Sequence, residues 1–467
     1  MRRRVAAVVL AAGEGTRMRS RTPKVLHRLN GIPMIDYVLN AVGVLRPERT
    51  VVVVSRDNSR SIREHLRAET LRFALQNRPL GTANALYSVR KALKGFDGDL
   101  LVLCGDTPLI TPETLSLFSV KHRRAGNLLS ILSFTATDPT GYGRIIRDSR
   151  GRACMIREER DAGRDELNIK EVNSGIYLLS SELLPLLRSI RRNVNKGEYY
   201  LTDLLDVACR RGLRASVYRG GDEKEFAGIN TKGELLAAQA IIRERTVRSW
   251  VEREVEFMDE KRVYIAPDVV IGPGTFVYPD VYLEGRTIIG SGCTIYPNVR
   301  IRDCKIGDHV EVRDSSVLEA SEIADDVIIG PFARLRPGSR LSQSVRIGNF
   351  VEIKNSSIGE GTKAQHLSYI GDAEVGRDVN IGAGTITCNY DGIRKHKTSV
   401  GNGVFVGSDS QLVAPVTVND GAYIGAGSTI TGDVPSGALA VSRCEQRNVK
   451  GWVKRKMRKN KKLKTKT

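Results

Sequence analysis

The sequence predicts an α/β protein in two parts, an N-terminal doubly wound, largely parallel sheet and a C-terminal parallel β-helix, joined by a long helix. Three observations carry this reading. Short β-branched runs alternate with helical patterns from residue 1 to about 230, residues 231–256 hold one unbroken helical pattern, and beyond them aliphatic residues recur every six positions. A chain of 467 residues is too long for one ordinary core, so two or three folded units are expected.

In the first part, residues 5–10, 51–55, 100–104, 130–134 and 175–179 read as strands, while 34–44 and 59–69 space their apolar residues for one face of a helix. Strands that alternate with helices imply a doubly wound sheet, whose ligands bind beyond the carboxyl ends of the strands. In the connector, Leu235, Leu236, Ala240, Ile241 and Val247 lie among charged neighbours, with no Gly or Pro after Gly233. The repeat then begins. Ile265, Ile271, Val277, Leu283, Ile289 and Ile295 keep strict register, and the phase returns at Ile323, Ile329 and Leu335 and again from Val400 through Val406, Leu412, Val418 and Ile424 to Ile430. Hexapeptide periodicity marks a β-helix, in which each aliphatic residue points inward and stacked coils share one apolar column. A solenoid alone implies no chemistry. Residues 454–467, nine of fourteen of them Lys or Arg, read as a solvated, disordered tail. The expected units are therefore 1–230, 231–256, 257–453 and 454–467.

Composition narrows the function classes. With 41% hydrophobic and 27% charged residues, and no apolar run near the roughly 18 needed to cross a bilayer, the chain does not read as a membrane protein. The apolar stretch after the first four residues runs into glycines without a cleavage pattern, so it reads as a buried strand and not as a signal peptide. Seven scattered cysteines, odd in number and without a CxxC pair, argue against a disulfide framework or zinc site and for reduced thiols in the cytoplasm. Much of the net charge of +20 sits in the tail, which reads as solvated before it reads as a contact for nucleic acid or a membrane surface. The remaining basic balance suits anionic small substrates.

After the first strand comes Leu10-Ala11-Ala12-Gly13-Glu14-Gly15-Thr16-Arg17-Met18, then Pro23-Lys24. Glycines there let backbone amides approach phosphate oxygens, with Arg17 and Lys24 to offset their charge. The loop lacks the third glycine of a dinucleotide fingerprint and the Gly-Lys-Ser/Thr of a P-loop, so neither site is supported. Taken singly, Lys24 reads as a solvated charge and Asp106 as a turn cap at a strand end.

This loop, followed in order by Gln76 with Leu80-Gly81-Thr82, Gly105-Asp106, Thr140 to Arg144, Glu158, Asn173-Ser174-Gly175, Glu198 to Asp203 and Gly228-Ile229-Asn230, resembles the sugar-1-phosphate nucleotidylyltransferases. The resemblance implies that Leu10, Ala11, Ala12, Gly13, Arg17 and Lys24 bind the nucleoside triphosphate. Gln76, Gly81 and Thr82 would read the base, Gly141, Glu158 and Asn173 would hold the sugar, and Asp106 and Asn230 would hold Mg²⁺. An anionic sugar phosphate attacking the α-phosphate of a triphosphate needs such cations to cancel repulsion, and it needs no protein nucleophile.

The solenoid carries a denser polar stretch: Arg334 to Gly338, Asn349 to Lys354, Lys363 to Asp372, and Asn380 to Gly392. With the N-terminal motifs, nearly the whole chain is similar to the bifunctional N-acetylglucosamine-1-phosphate uridylyltransferases and glucosamine-1-phosphate acetyltransferases. That family pairs a Rossmann-like nucleotidyltransferase domain with a left-handed β-helix and assembles as a trimer. By this resemblance His366 is the general base, Arg336, Lys354, Tyr369 and Asn380 contact the amino-sugar phosphate, and Ala383, Asn389, Tyr390, Ser408, Ala426 and Arg443 bind acetyl-CoA. The insertion at 389–398, which breaks the hexad register, would project toward a neighbouring subunit. The implied reactions are acetylation of glucosamine 1-phosphate and uridylyl transfer from UTP to N-acetylglucosamine 1-phosphate. They yield UDP-N-acetylglucosamine, a precursor of peptidoglycan and lipopolysaccharide. Asn84 stands where the family often has His and Cys104 where it often has Tyr, so base and sugar contacts are in doubt at those two positions.

Two other readings compete. One is a single-function pyrophosphorylase whose solenoid only assembles the protein; the His366 segment and the Cys388-Asn389-Tyr390-Asp391-Gly392 run speak against it, because a structural solenoid needs only hexads. The other is a noncatalytic scaffold, which loss of Lys24, Asp106, Asn230 or His366 would have favoured. All four are present.

Overall fold

The computed structural model describes residues 4–67, 70–194 and 197–464. The chain divides into two compact units, 1–243 and 244–467.

In the first unit the main strands are β1 (Val5–Leu10), β2 (Arg49–Ser55), β3 (Leu71–Gln76), β4 (Asp99–Cys104), β5 (Leu129–Thr135), β6 (Arg144–Arg147), β7 (Ala153–Arg157), β8 (Glu171–Ser180) and β9 (Ala215–Arg219). Their order is β9-β5-β8-β4-β1-β2-β3, with β6 joined to β8 and β7 joined to β6. β8 runs antiparallel to both neighbours, whereas the other pairs along this path are parallel. The sheet is thus mixed, and the reversed β8 comes from a part of the sequence where a strand was legible but its direction was not. β1 is apolar throughout because both its faces are covered. Val5, Ala7 and Val9 point into one cluster with Val52 and Val54, while Ala6 and Val8 point into another with Val51 and Val53. β3, β6, β7 and β9 were not foreseen, since exposed and intermediate residues interrupt their apolar pattern.

The helices that bear on function are α1 (Met34–Gly43), α2 (Ser59–His65), α3 (Thr82–Ser88), α4 (Pro112–Ala125), α5 (Asp203–Arg210) and α6 (Lys232–Val251). The helical pattern expected to reach Glu69 stops at His65, and its last two positions lie outside the described residues. α4 shows how local sequence sets an element. Thr111 caps it by accepting from the Thr114 N–H, Pro112 opens it, and Gly126 ends it in the left-handed conformation. Within the first unit, α6 packs Ala238 beside Ile229, Leu29 and Met34.

The second unit is a parallel β-helix. Three hexads make one coil, so Phe276 pairs with Thr294 and Tyr282 with Arg300, eighteen positions on. From Ile288, which pairs with Lys305, one residue is lost from the coil, and this is why the hexad phase slips after Ile301. The expected inward residues form one continuous core, with Val277, Leu283 and Ile295 fully buried. In the coil that carries the insertion the spacing widens, and Asn380 pairs with Phe405, twenty-five positions on. The tail differs from expectation: α7 (Trp452–Lys464) is a helix, although Trp452, Val453 and Met457 are exposed on it. Lys, Arg, Met and Leu are good helix formers, so a solvated basic run can be helical without joining a core.

Candidate active sites

In the first unit a cleft of about 510 Å³ opens at the carboxyl ends of β1, β3 and β4. Leu10, Ala11, Ala12, Gly13 and Arg17 line it from the loop after β1, with Lys24, Gln76, Gly81, Thr82, Asp106 and Asn230 around them. The loop is anchored at its root, where Gly105 N–H donates to Leu10 O (2.9 Å), Ala11 N–H to Val53 O (2.8 Å) and Asn58 Nδ2 to Ala11 O (2.8 Å). Gly15 is required where it stands. It has φ +63°, and a Cβ there would come within 2.7 Å of the Lys24 Cβ.

Three of the expected residues converge on one point. The Lys24 ammonium forms an ion pair with Asp106 and donates to Asn230 Oδ1 (2.7 Å), which also accepts from Arg17 (2.8 Å). Ile229 N–H donates to the Asp106 carbonyl (2.9 Å), and this bond brings Asn230, distant in sequence, beside Asp106. On the opposite wall Gln76 donates to Gly81 O and Asn84 Oδ1, both at 3.1 Å. Gly81 opens α3 at φ +95°, where a Cβ would lie 2.5 Å from Tyr199 O, and Thr82 Oγ1 accepts from Leu201 N–H (3.0 Å). These contacts tie the 198–203 segment to the base-side wall, and Glu198 itself lines the cleft. The sequence reading matched that segment but gave it no role.

Gly141, Glu158 and Asn173 do not line this cleft. The Gly141 N–H meets the Glu159 carboxylate, Glu158 accepts from the Thr202 hydroxyl (2.9 Å), and Asn173 donates to the Tyr177 hydroxyl (2.9 Å) while accepting from Gly175 N–H (3.1 Å). Tyr177 links the two areas: burial pushes its hydroxyl far up, with Glu158, Cys104 and Asp203 adding to the effect. Cys104 lines the cleft, and burial with Asp106 nearby pushes its thiol up to about 12, so it carries no thiolate at neutral pH. Half-buried Asp203 is raised to about 6, first by burial and then by Glu158, Asp206 and Asp161.

In the second unit the polar stretch falls on adjacent coils. The strand Arg346–Lys354 pairs in parallel with Lys363–Gly371, which puts Asn349 opposite His366 and Glu352 opposite Tyr369. His366 is exposed, and its Nδ1 meets Asn349 Oδ1 at 3.1 Å. Asn349 Oδ1 can only accept, so Nδ1 carries a proton, and of the two neutral tautomers this bond selects the one with its lone pair on Nε2. Leu367, next in the chain, has φ +32°, a conformation that costs a branched residue roughly 1–3 kcal/mol and that recurs at functional sites.

Leu335 pairs with Ile353, so Arg336 and Lys354 occupy the same corner in neighbouring coils. Arg336 is held by Glu352 (2.9 Å). Lys354 is pushed below the usual lysine range, first by the Lys395 ammonium and then by burial and Arg336. Lys395 comes from the insertion and was missed by the sequence reading; its signal was its place in the 389–398 insertion that breaks the hexad register. The insertion is folded on Asp391, which accepts from Arg394 and Ile393 N–H at 2.7 Å each and meets His396 at 2.7 Å. These bonds hold the Asp391 carboxyl at about 2. Asn389 donates to Asp372 (2.5 Å) and Tyr369 Oη (3.4 Å), whereas the Tyr390 ring is exposed and its hydroxyl donates to Gly392 O (2.7 Å). Asn380 lies one coil beyond Lys363.

The residues expected on acetyl-CoA form a ladder. Ile381, Val406 and Ile424 stack in register, which places Ala383, Ser408 and Ala426 two positions later at one corner of three successive coils. Arg443 extends the ladder by donating to Ala426 O (2.8 Å).

Among the described residues no group of three or more His, Cys, Asp or Glu is placed to hold a metal ion, and no helix is long and apolar enough to cross a membrane.

Comparison with known proteins agrees with this division. The nucleotidyl transferase family matches residues 6–224, and the bacterial transferase hexapeptide family (six repeats) matches 268–303 and 397–432. The protein is therefore a transferase with a nucleotidyltransferase head and a hexapeptide acyltransferase head. The bifunctional protein GlmU of Thermodesulfovibrio yellowstonii is 48% identical over 451 residues, which cover 96% of this chain and 99% of that protein. The bifunctional protein GlmU of Heliobacterium modesticaldum is 46% identical over 454 residues (96% and 98%), and that of Geobacillus thermodenitrificans 45% over 450 (96% and 97%). The chain belongs to the GlmU family of bifunctional enzymes, whose two activities are uridylyl and acetyl transfer, and its left-handed β-helix is the family's second domain.

Proposed function

We propose that the second unit acetylates glucosamine 1-phosphate from acetyl-CoA and that the first couples the product to UMP from UTP, releasing pyrophosphate and UDP-N-acetylglucosamine for peptidoglycan and lipopolysaccharide. The observation that carries this is the meeting of Lys24, Asp106 and Asn230, far apart in sequence, in the cleft under the 10–17 loop.

In the first head, the loop amides with Arg17 and Lys24 hold the triphosphate, Gln76, Gly81 and Thr82 read the base, and Glu158, Asn173 and Gly141 hold the sugar. Asp106 and Asn230 fit Mg²⁺. Their oxygens already point at a single ammonium, and a hard cation that keeps most of its ligands from water and phosphate needs few protein donors. When bound, Mg²⁺ supplies neutralisation of charge on the triphosphate. Lys24 and Arg17 then orient the α-phosphate for in-line attack by the sugar phosphate, with no covalent enzyme intermediate.

In the second head, Arg336, Lys354 and Lys395 converge as an anion site for the sugar phosphate, with Tyr369 beside them, and Asn380, in register with Lys363, contacts the sugar from another part of the coil. His366 Nε2 takes the proton as the amine attacks the thioester, and Asn349 keeps the ring in the required tautomer. The 383–408–426 ladder with Asn389, Tyr390 and Arg443 holds the cofactor. Trimerisation is supported by an exposed apolar column beside His366, in which the Phe332 and Phe350 rings stack at 5.4 Å with Leu367 next to them. Cytoplasmic residence is supported by seven free cysteines.

Purified protein given glucosamine 1-phosphate, acetyl-CoA, UTP and Mg²⁺ should yield UDP-N-acetylglucosamine by mass spectrometry, with none when Mg²⁺ is chelated. Product formation with another nucleotide or sugar phosphate in preference would refute the assignment.

A further inference from the structure

We propose that Asn84 is a positioning residue for base selection, acting by fixing which way the Gln76 amide faces; this rests on the reading of the first cleft as a UTP site. The polarity of the Gln76 side chain follows from its surroundings. Its amide end lies 3.1 Å from the carbonyl oxygen of Gly81, which can only accept, so the NH₂ group must be the end that faces it. The second N–H of the same NH₂ lies 3.1 Å from Asn84, so Asn84 turns its oxygen toward Gln76. Both donors are thereby used within the wall of the cleft. Among the described residues Oε1 accepts from none, and Gln76 lines the cleft.

The cleft therefore meets the edge of a base with a bare acceptor. Uracil offers N3–H at that edge and is matched. Cytosine offers an unprotonated N3 there, and two acceptors facing each other lose the hydrogen bond and repel. Asn84 sits on the short helix α3, whose first turn is fixed by Ala83 N–H donating to Tyr199 O (3.0 Å), Tyr199 N–H donating to Leu80 O (2.8 Å) and Leu201 N–H donating to Thr82 Oγ1 (3.0 Å), so its side chain is held against Gln76 by the backbone. Without it, Gly81 O alone would orient the amide, and the reversed amide would become accessible.

The test compares kcat/KM for UTP and CTP in the full chain. Asn84→Ala should lower the UTP/CTP ratio about 3- to 10-fold, the range for loss of one neutral hydrogen bond, and Asn84→Asp, which keeps the acceptor, should retain it. An unchanged KM for N-acetylglucosamine 1-phosphate reports that the cleft is intact in each variant. Gln76→Ala should collapse the ratio further. If Gln76→Ala collapses it and Asn84→Ala does not, the role of Asn84 is overturned while the base-reading assignment stands. If neither variant changes the ratio, both fall. Loss of selectivity in Asn84→Asp equal to that in Asn84→Ala would also overturn the proposal, because the acceptor would not be what matters.

Discussion

The two units bring cations together with opposite architectures. In the nucleotidyltransferase unit the decisive cation is nearly buried: the Lys24 side chain is 10% exposed, and its position depends on a glycine loop, two strand ends and a chain segment two hundred residues away. In the β-helix the cations are more open, Lys395 exposed and Arg336 and Lys354 half-buried, and the positions of the last two follow from coil register, since they are one coil apart at the same corner. Burial makes the first site sensitive to every packing contact around it. The second draws its precision from coil register, and the insertion adds one further cation, Lys395, next to Lys354.

If the heads are this independent, a change in one should leave the other unmoved. His366→Ala should lower acetyl transfer by on the order of 10² to 10⁴ with uridylyl transfer unchanged, the loss falling on turnover and not on apparent affinity; thiol release at saturating substrates measures it. Asp106→Asn should lower uridylyl transfer by about 10² to 10³ and raise the Mg²⁺ needed for half-maximal pyrophosphate release, with thiol release as before. Equal loss of both activities in either variant would break the comparison. Lys395→Ala sharpens it, because removing one of three converging cations should raise KM for glucosamine 1-phosphate on the order of tenfold and leave turnover close to normal.

A smaller effect is expected from Asp203, which is raised to about 6 by burial and by Glu158. A raised carboxyl pKa means that the folded protein binds the proton more tightly than the unfolded chain does. The stabilising contribution is therefore complete below about pH 4, the unfolded carboxyl value, and is lost as pH rises through 6. Asp203→Asn should stabilise the first unit at pH 7.5 by about 1 kcal/mol after allowance for partial exposure, a rise in Tm of about 2–4 °C, and should do nothing at pH 4.

The same contrast explains what could be read in advance. Hexad spacing identified the inward residues of the coils, because one residue type every six positions is a one-dimensional rule. Reversal of β8 and the strands β6 and β7 were not legible, since direction and pairing are set by partners far away in the chain. Lys24, Asp106 and Asn230 emerged from ordered motifs, whereas Lys395 did not and Asn349 stood in the polar stretch without a role. Lys395 matters only through a loop folded on Asp391, and Asn349 only because coil register sets it opposite His366. Cys104, doubtful on the sequence, lies in the cleft wall as a protonated thiol next to Tyr177.

Mixing the two single variants tests most directly whether one chain carries two self-sufficient heads. Asp106→Asn and His366→Ala proteins, each supplied with glucosamine 1-phosphate, acetyl-CoA, UTP and Mg²⁺, should separately form almost no UDP-N-acetylglucosamine, and the mixture should form it readily as N-acetylglucosamine 1-phosphate diffuses from one to the other. A mixture that stays inactive while each variant retains its other half-reaction, or either variant alone forming the product at the parent rate, would contradict the account.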